Sequence, residues 1–288
     1  MPRITVSMAA RNVDQYIETA IASVLQQTFV DFELVVVDDG SSDATAEAVG
    51  RFDDPRVRLI RNSSHLGIGA SHNRVLENSD SELVVHVDAD DIVRPDAFRQ
   101  VAAAMYSSPA APGAHCYFDF IDDHGRALAN RFTRARIGAQ LRRKVDSDYR
   151  HNLIVYGTEC ANHLRTYRRE VLRLVGGFDE SRRLGEDLDM ALRLVDRSPL
   201  VLVPRFLYSK RIHRGADTES LHLQGLRFFL NRSLMAWRLW RDGRIQFPNE
   251  ARYRLPRLIA IGFRETCAQM VRSRLALNPV DIQERAQP

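Results

Sequence analysis

Short apolar runs alternate with amphipathic stretches through the first hundred residues of the chain. Runs rich in β-branched residues are typical of buried strands, whereas an apolar face repeated at helical spacing indicates a helix. The predicted strands lie at 4–9, 33–37, 56–60 and 83–87, and the predicted helices at 14–27, before residue 49, at 67–78 and from 95 to about 106. Strands that alternate with helices at this spacing predict a parallel sheet built from right-handed crossovers.

The second half of the chain has a less regular pattern. It predicts a strand at 114–120, a turn at 122–125, a helix at 165–175, a helix after residue 184, strands at 200–203 and 206–213, and arginine-rich helices at 221–240 and 253–277. Residues 126–150 lack periodicity and are interpreted as an irregular excursion over a site. The predicted fold class is α/β, with a mostly parallel twisted sheet flanked by helices and a basic, helical C-terminal extension. We expect one large domain over 1–215 and the extension over 216–288.

The charge of the chain is unevenly distributed, which separates a candidate catalytic part from a tail. The 288 residues are 44% apolar and 27% charged, as in an ordinary globular protein, and the net charge is +4. Residues 204–288 carry 16 Lys and Arg against 7 Asp and Glu, which leaves 25 against 30 for residues 1–203. A basic tail is suited to binding anionic lipid, a nucleotide phosphate or an acidic partner, but a helix face that is simply solvated explains it equally well. We expect peripheral membrane contact or a homodimer through the C-terminal helices, and no nucleic-acid partner.

Cysteine usage and hydropathy indicate the compartment. Cys116, Cys160 and Cys267 lie far apart without a CxxC spacing, so they predict neither a zinc site nor a disulfide framework. This usage favours a reducing cytoplasm. The first residues lack the apolar core of a signal peptide, and no run reaches the ~20 apolar residues that span a bilayer. The expected location is therefore cytoplasmic, with any membrane contact peripheral.

Carboxylates crowd the positions where two predicted strands end. Asp38 and Asp39 follow the second strand, and Asp88, Asp90 and Asp91 follow the fourth. In parallel sheets, ligands bind at the carboxyl ends of the strands. Neighbouring carboxylates repel one another unless a proton or cation neutralises them, and oxygen ligands suit Mg²⁺ or Mn²⁺. An N-cap for the following helix would explain only one of these carboxylates, so the sequence predicts a metal or ligand site here.

A second group of acids opens the helix that follows residue 184. Negative charge in the first turn of a helix is stabilising, which explains Asp189 without any chemistry. Glu186 and Asp187 come directly after Gly185, where side chains project beyond the helix end. A carboxylate in that position has the geometry of a general base acting on a hydroxyl. The pattern alone leaves both interpretations open.

Taken together, these stretches resemble the family 2 glycosyltransferases, the large inverting group with a GT-A fold. The resemblance covers about residues 3–215 and depends on the order and spacing of six motifs. They lie at 6–12, 22–28, 37–45, 87–91, 176–180 and 185–189.

The resemblance implies a role for individual residues. The pair Asp38 and Asp39 matches the place where a carboxylate accepts from the ring N–H of uracil. Asp187 matches the base that takes a proton from the acceptor hydroxyl. The implied nucleotide-sugar-binding residues are Ala9, Arg11, Asp38, Asp39, His72, Asp88, Ala89 and Glu186, and the implied ligands of Mn²⁺ or Mg²⁺ are Asp88, Asp90 and His213.

Three positions depart from the pattern of the family. Arg11 replaces a common tyrosine, His72 replaces a common arginine, and Val75 replaces a frequent glycine nearby. Arginine can still stack on a base, and histidine can still donate to a phosphate. Nucleotide binding is therefore compatible with these departures, and a UDP-sugar is the expected donor, with dTDP- or GDP-sugar as alternatives.

The resemblance implies an inverting glycosyltransferase that moves a sugar from a nucleotide donor to a hydroxyl on a glycan, lipid-linked precursor or small molecule. A nucleotidyltransferase of similar fold is an alternative, although it would need a basic triphosphate-binding loop near the first strand. A second alternative is a nucleotide-sugar-binding protein without activity. The chain lacks the GxxxxGK[ST] pattern of P-loop nucleotide triphosphatases.

Overall fold

The computed structural model describes residues 3–128, 153, 163–182 and 185–213. The chain divides into two compact units, residues 1–153 with 158–212, and residues 154–157 with 213–288. The described residues all belong to the first unit, except His213, which belongs to the second. Most of the predicted excursion at 126–150 and the predicted extension over 216–288 lie outside the described residues. Among the residues that are described, no helix is long and apolar enough to cross a membrane.

Strands and helices alternate through the first hundred residues, as the hydrophobic pattern predicts. In chain order the described elements are β1 (Ile4–Ala10), α1 (Ile17–Leu25), β2 (Phe32–Asp38), α2 (Thr45–Gly50), β3 (Val57–Arg61), α3 (Ile68–Glu77), β4 (Leu83–His86), β5 (Ile92–Val93), α4 (Ala97–Tyr106), β6 (Gly113–Ile121), β7 (Thr166–Arg168), α5 (Arg169–Leu174), α6 (Glu186–Val195) and β8 (Val201–Arg211).

The strands form one mixed sheet in the order β3-β2-β1-β4-β7-β6-β8-β5. The first four strands in this order are parallel, and β6 is parallel to β8. The short strand β7 runs antiparallel to both β4 and β6, and β5 runs antiparallel to β8. The predicted α/β class with a mostly parallel sheet is confirmed.

The centre of the sheet is buried on both faces because helices cover it on each side. In β2, Val35, Val36 and Val37 are all fully buried. Val36 belongs to the main core with Ile21 of α1, whereas Val35 and Val37 pack with Val75 of α3 on the opposite face. A parallel strand of this kind reads as a continuous apolar run, which is why the sequence predicts it well.

Two predictions for the second half of the chain were wrong, one for a helix and one for a pair of strands. The predicted helix at 165–175 is divided, because Thr166–Arg168 forms β7 and only Arg169–Leu174 is helical. All three residues of β7 are buried between β4 and β6, so pairing in the sheet overrides the local helical pattern. The two predicted strands at 200–213 are one strand, β8, whose pairing with β6 shifts register near Tyr117.

The turn at Gly176-Gly177, in the motif at 176–180, requires glycine at position 177. Gly177 has φ 68°, in the left-handed region. The side chain of Asn73 accepts from the backbone N–H of Phe178 at 2.7 Å and donates to its carbonyl at 2.9 Å. A Cβ added at Gly177 would lie 2.6 Å from Asn73 Oδ1. The turn therefore needs glycine both for its backbone angle and for its contact with α3.

Gly177→Ala is expected to destabilise the protein by about 2–3 kcal/mol, because left-handed strain adds to a weakened Asn73 contact. Thermal unfolding should then show a melting temperature lower by roughly 4–10 °C. Gly176→Ala is the matched control, since Gly176 has φ 83° but no described residue lies within 4 Å of an added Cβ. It should lose only the strain, about 1 kcal/mol. Equal shifts in the two variants would contradict the role given to Asn73.

Candidate active site

The loops that follow β1 and β2 are hydrogen-bonded to each other. Asn12, which has φ 52°, accepts from the backbone N–H of Ser42 at 2.9 Å. Its own N–H donates to Ser41 Oγ at 3.0 Å, and the N–H of Val13 donates to Thr45 Oγ1 at 2.9 Å. The polar residues at 41–45 therefore connect the loop after β2, which follows the first acidic pair, to the loop after β1.

Asp39 is held by hydrogen bonds from the loop after β3. One carboxylate oxygen accepts from Asn62 Nδ2 at 2.7 Å and from the N–H of Leu66 at 2.9 Å. The other accepts from the N–H of Gly67 at 2.8 Å and lies 2.8 Å from His65 Nδ1. Burial opposes ionisation of Asp39, but these hydrogen bonds outweigh it and lower the pKa. Its contacts are those of an anchor for the loop.

Asp38 is one of the residues that line a cavity of about 420 Å³, although its side chain is only 1% exposed. Its Oδ1 accepts from the N–H of Ser41 at 3.1 Å, and its Oδ2 lies 3.5 Å from Nε of Arg61. The cavity is lined by Asp38, Gly40, Ser41, Arg61, Asn62 and Ser63. A carboxylate and a largely exposed guanidinium side by side can accept from and donate to the edge of a planar base. The structure thus separates the predicted pair into one residue at the cavity and one in the loop.

Asp88 lies where β4 ends and is bound from three directions. Its backbone N–H donates to the Tyr208 hydroxyl at 3.0 Å. Its carboxylate accepts from Arg165 Nη2 at 2.6 Å and lies 3.9 Å from His163 Nδ1. Burial alone would raise the pKa of Asp88, but the charge of Arg165 in particular lowers it to about 2. Asp88 is therefore ionised near neutral pH.

Asp88, Asp91 and His163 form a group that could hold a metal ion, with one ligand atom from each within 4.8 Å of the others. Asp91 Oδ1 accepts from the N–H of Arg211 at 2.7 Å. Asp91 Oδ2 and His163 Nε2 are buried and have no hydrogen-bond partner among the described residues. Buried polar atoms are normally satisfied, so a cation would suit the group. Burial and the charges of Asp90 and Asp88 raise the pKa of Asp91.

This group overlaps only in part with the predicted ligands. Asp88 belongs to both sets, and Ala89, buried in the core, connects it to Asp90. Asp90 is half-buried, and its carbonyl oxygen accepts from Arg211 Nε at 2.7 Å. His213 belongs to the second compact unit. The roles of Asp90 and His213 as ligands stay predictions, whereas His163 had no signal in the sequence pattern.

The three acids in the first turn of α6 differ in their exposure to solvent. Gly185 precedes the helix in the left-handed conformation, and Glu186 is buried behind it. The side chain of Asp187 is 21% exposed and accepts from the N–H of Leu188 at 2.7 Å. Asp189 is fully buried and paired with Arg193 at 2.7 Å. Asp189 is thus part of a buried ion pair, and Asp187 is the most exposed of the three acids.

Arg165 brings the two groups of acids together. Its Nη2 bonds Asp88 at 2.6 Å and its Nη1 bonds Asp187 Oδ2 at 3.3 Å. Sequence reasoning missed Arg165 because it falls at the start of the segment that was predicted to be a helix. The acids after β4 and the acids that open α6 are therefore parts of one site.

The other predicted donor-binding residues lie around this site at different depths. His72 is 4% exposed, and its Nδ1 lies 2.7 Å from Ser7 Oγ. Its ring packs against His86 at a centroid distance of 4.0 Å, and burial lowers its pKa to about 3. Arg11 is exposed in the loop after β1, and Ala9 is half-buried on β1. Their roles in binding a nucleotide sugar stay predictions.

Glu186 is expected to make the stability of the protein depend on pH. Burial, and then the charge of Asp187, raise its pKa from 4.5 to about 8. Because the folded-state pKa is the higher one, the stabilising contribution is complete below pH 4.5 and is lost as the pH rises through about 8. Between about pH 5 and pH 9, the wild-type melting temperature should fall by roughly 3–8 °C more than that of Glu186→Gln. Parallel curves in a thermal unfolding series would reject the buried acid as the cause.

The family model described as "Glycosyl transferase family 2" matches residues 5–176. The succinoglycan biosynthesis protein ExoO of Rhizobium meliloti (strain 1021) is 31% identical over 229 residues, which is 77% of this chain and 64% of that protein. A chondroitin synthase of Escherichia coli is 25% identical over 227 residues, 76% of this chain and 30% of that protein. The chain thus spans less than two thirds of the length of these relatives.

Solved structures show the same fold. The structure of S. aureus TarS 1-349 in complex with UDP-GlcNAc has a TM-score of 0.62 at 19% identity, covering 81% of this chain and 65% of that one. The mannosyltransferase PcManGT from Pyrobaculum calidifontis, in complex with GDP-Man and Mn²⁺, has a TM-score of 0.64 at 19% identity, covering 96% and 75%. The predicted GT-A fold is confirmed by these similarities.

Proposed function

The chain belongs to glycosyl transferase family 2, and from this premise we propose that it moves a sugar from a nucleotide-diphosphate donor to an acceptor hydroxyl with inversion. The observation that carries the proposal is the meeting of Asp88 and Asp187 in one hydrogen-bonded site. A site of this kind offers one acid to the donor and another to the acceptor. Membership of this family also disfavours the nucleotidyltransferase alternative.

The cavity at Asp38 is the proposed site of the nucleotide base. A uracil ring offers an N–H that a carboxylate can accept, beside a carbonyl to which Arg61 can donate. Guanine offers a similar edge, so the cavity also suits a GDP-sugar. A UDP-sugar remains the favoured donor. TarS and PcManGT bind UDP-GlcNAc and GDP-Man respectively, which supports a nucleotide-sugar donor for this chain as well.

Asp88, Asp91 and His163 are the residues that would hold Mn²⁺ or Mg²⁺, and Asp90 and His213 remain the other candidate ligands. Asp91 Oδ2 and His163 Nε2, which have no hydrogen-bond partner within the described part of the chain, support a cation here, and carboxylate and imidazole ligands suit Mn²⁺. A divalent cation would supply a Lewis acid for the negative charge that develops on the departing diphosphate.

Asp187 is the proposed general base. An acceptor hydroxyl is a poor nucleophile near neutral pH, so a carboxylate must take its proton as it attacks. Asp187 is partly exposed, whereas Glu186 is buried with its pKa raised to about 8. Glu186 therefore stays protonated near neutral pH, and its carboxyl O–H is suited to donating a hydrogen bond to the nucleotide sugar. A single displacement promoted by Asp187 inverts the anomeric carbon.

The acceptor is proposed to be a growing glycan. Relatives named for succinoglycan biosynthesis and chondroitin synthesis support this class over a small molecule, and a lipid-linked glycan would offer the same hydroxyl chemistry. The predicted cytoplasmic location, peripheral membrane contact and homodimer remain proposals.

A thermal-shift screen of nucleotide sugars tests donor and cation together. At a concentration of about 100 times Kd, the cognate donor should stabilise the protein by about 2.7 kcal/mol, which raises the melting temperature by roughly 5–10 °C. The shift should be larger with Mn²⁺ than with a chelator, and the free sugar should give none. No shift with any nucleotide sugar in the presence of Mn²⁺ or Mg²⁺ would refute the proposed function.

A further inference from the structure

Arg165 is a buried cation that binds one acid from each part of the active site. We propose that Arg165 is a positioning residue, which holds Asp88 and Asp187 at a fixed separation so that the base faces the bound donor. This inference rests on the proposed function, because it names the group that arranges the two acids of the reaction. Neither the sequence motifs nor the similarity to family members assigns a role to Arg165.

The sheet sets the position of Arg165. Its carbonyl oxygen accepts from the N–H of His86 at 2.8 Å, just before β7 pairs antiparallel with β4. His86 is the last residue of β4, and Asp88 follows two residues later. The backbone of Arg165 therefore lies beside the carboxyl end of β4, within reach of both acids.

The guanidinium is held mainly by those two acids. Nη2 is 2.6 Å from Asp88 Oδ1 and Nη1 is 3.3 Å from Asp187 Oδ2, whereas Nε is buried without a hydrogen-bond partner among the described residues. A guanidinium is planar and rigid, so one group that binds two carboxylates fixes the distance between them. Its side chain is only 9% exposed, and a buried charge persists only when it is paired. The two ion pairs thus compensate the buried charge of the arginine and hold both acids in place.

The effect on the reaction follows from charge and distance. Asp88 and Asp187 are two acids that repel one another when both are ionised, and a cation between them removes that repulsion. A displacement of the base by about 1 Å can lower a rate on the order of 10²-fold. A lysine at 165 would restore the charge but not the fork that reaches both carboxylates.

Arg168 provides a matched control. Its side chain is 10% exposed, close to the 9% of Arg165, and it is the last residue of β7, which begins directly after Arg165. It donates to the carbonyl oxygens of Ala111 at 3.1 Å and Met105 at 2.8 Å, away from both acids. Its replacement therefore removes a buried arginine without touching the site.

The experiment compares Arg165→Gln, Arg165→Lys and Arg168→Gln in the full chain, with kcat and donor KM measured per folded molecule. Arg165→Gln should lower kcat by about 100-fold and raise donor KM by about fivefold. The kcat of Arg165→Lys should be about tenfold higher than that of Arg165→Gln. Arg168→Gln should lower the melting temperature at least as much as Arg165→Gln, while its kcat stays within about threefold of wild type.

Further measurements separate the possible failures. If Arg165→Gln keeps the wild-type kcat and KM, the inference is wrong and the proposed function stands. If the wild type turns over no nucleotide sugar, the proposed function fails, and with it any role for Arg165 in the reaction. A double-mutant cycle of Arg165→Gln and Asp187→Asn, measured by thermal unfolding, tests the ion pair without an activity assay. Melting-temperature shifts that do not add would support the pairing, and shifts that add would overturn it.

Discussion

Asp187→Asn is expected to lower the rate of sugar transfer by about 10³-fold, while the affinity for the donor changes by no more than about threefold. Asparagine has nearly the same shape and can still accept from the N–H of Leu188, but it cannot take a proton from a hydroxyl. The loss should appear in kcat, because the interaction is made as the hydroxyl attacks. Steady-state kinetics and donor binding by calorimetry measure the two quantities.

The control for this variant is Asp80→Asn. Asp80 is also paired with an arginine, Arg169 at 3.1 Å, but its side chain is 66% exposed and lies outside the site. Transfer by Asp80→Asn should remain within about twofold of the wild type, as expected for an exposed ion pair. If Asp187→Asn turned over donor as fast as Asp80→Asn, Asp187 would not be the base.

Asp88→Asn is expected to weaken cation-dependent donor binding by about 100-fold or more. Asp88 belongs both to the group with Asp91 and His163 and to the ligand set that the resemblance implies. Removing its charge therefore affects the cation site whichever ligand set is used, and it also leaves Arg165 without one of its two acids. Donor titrations with Mn²⁺ and with a chelator measure the difference.

Two further variants distinguish the candidate ligands. His163→Gln should abolish the dependence on Mn²⁺ if the buried group is the site, whereas Asp90→Asn should do so if the implied set is the site. In either case, Asp88→Asn should bind the donor equally with and without the chelator. An unchanged response to Mn²⁺ in Asp88→Asn would exclude a cation site at the end of β4.

The sequence predicted where the acids lie in the fold because their positions depend on local pattern, whereas their roles in the site stay predictions. Asp38 and Asp88 follow runs of apolar residues, and such runs are recognisable as buried strands wherever they occur. Carboxyl ends of parallel strands lie at one edge of a sheet, so these acids were expected near one another. Asp187 was found in the same way, as an acid at the start of a helix with a clear apolar face.

Other features could not be predicted because they depend on partners distant in the sequence. The division between Asp38 and Asp39 depends on Asn62, which comes from the loop after β3. The group at Asp88 includes His163 only because β7 inserts between β4 and β6. Nothing in the residues around His163 indicates that strand order.

The sequence by itself determined the family, the strands of the parallel half of the sheet and the acids that follow them, since apolar periodicity and motifs are encoded by neighbouring residues. The tertiary structure alone decided which of those acids line a cavity, which are bound by loops, and which lie close enough together to hold a cation. Arg165 is the clearest case. Its chemistry is set by two carboxylates from other segments, and only antiparallel pairing of β7 with β4 brings it beside them.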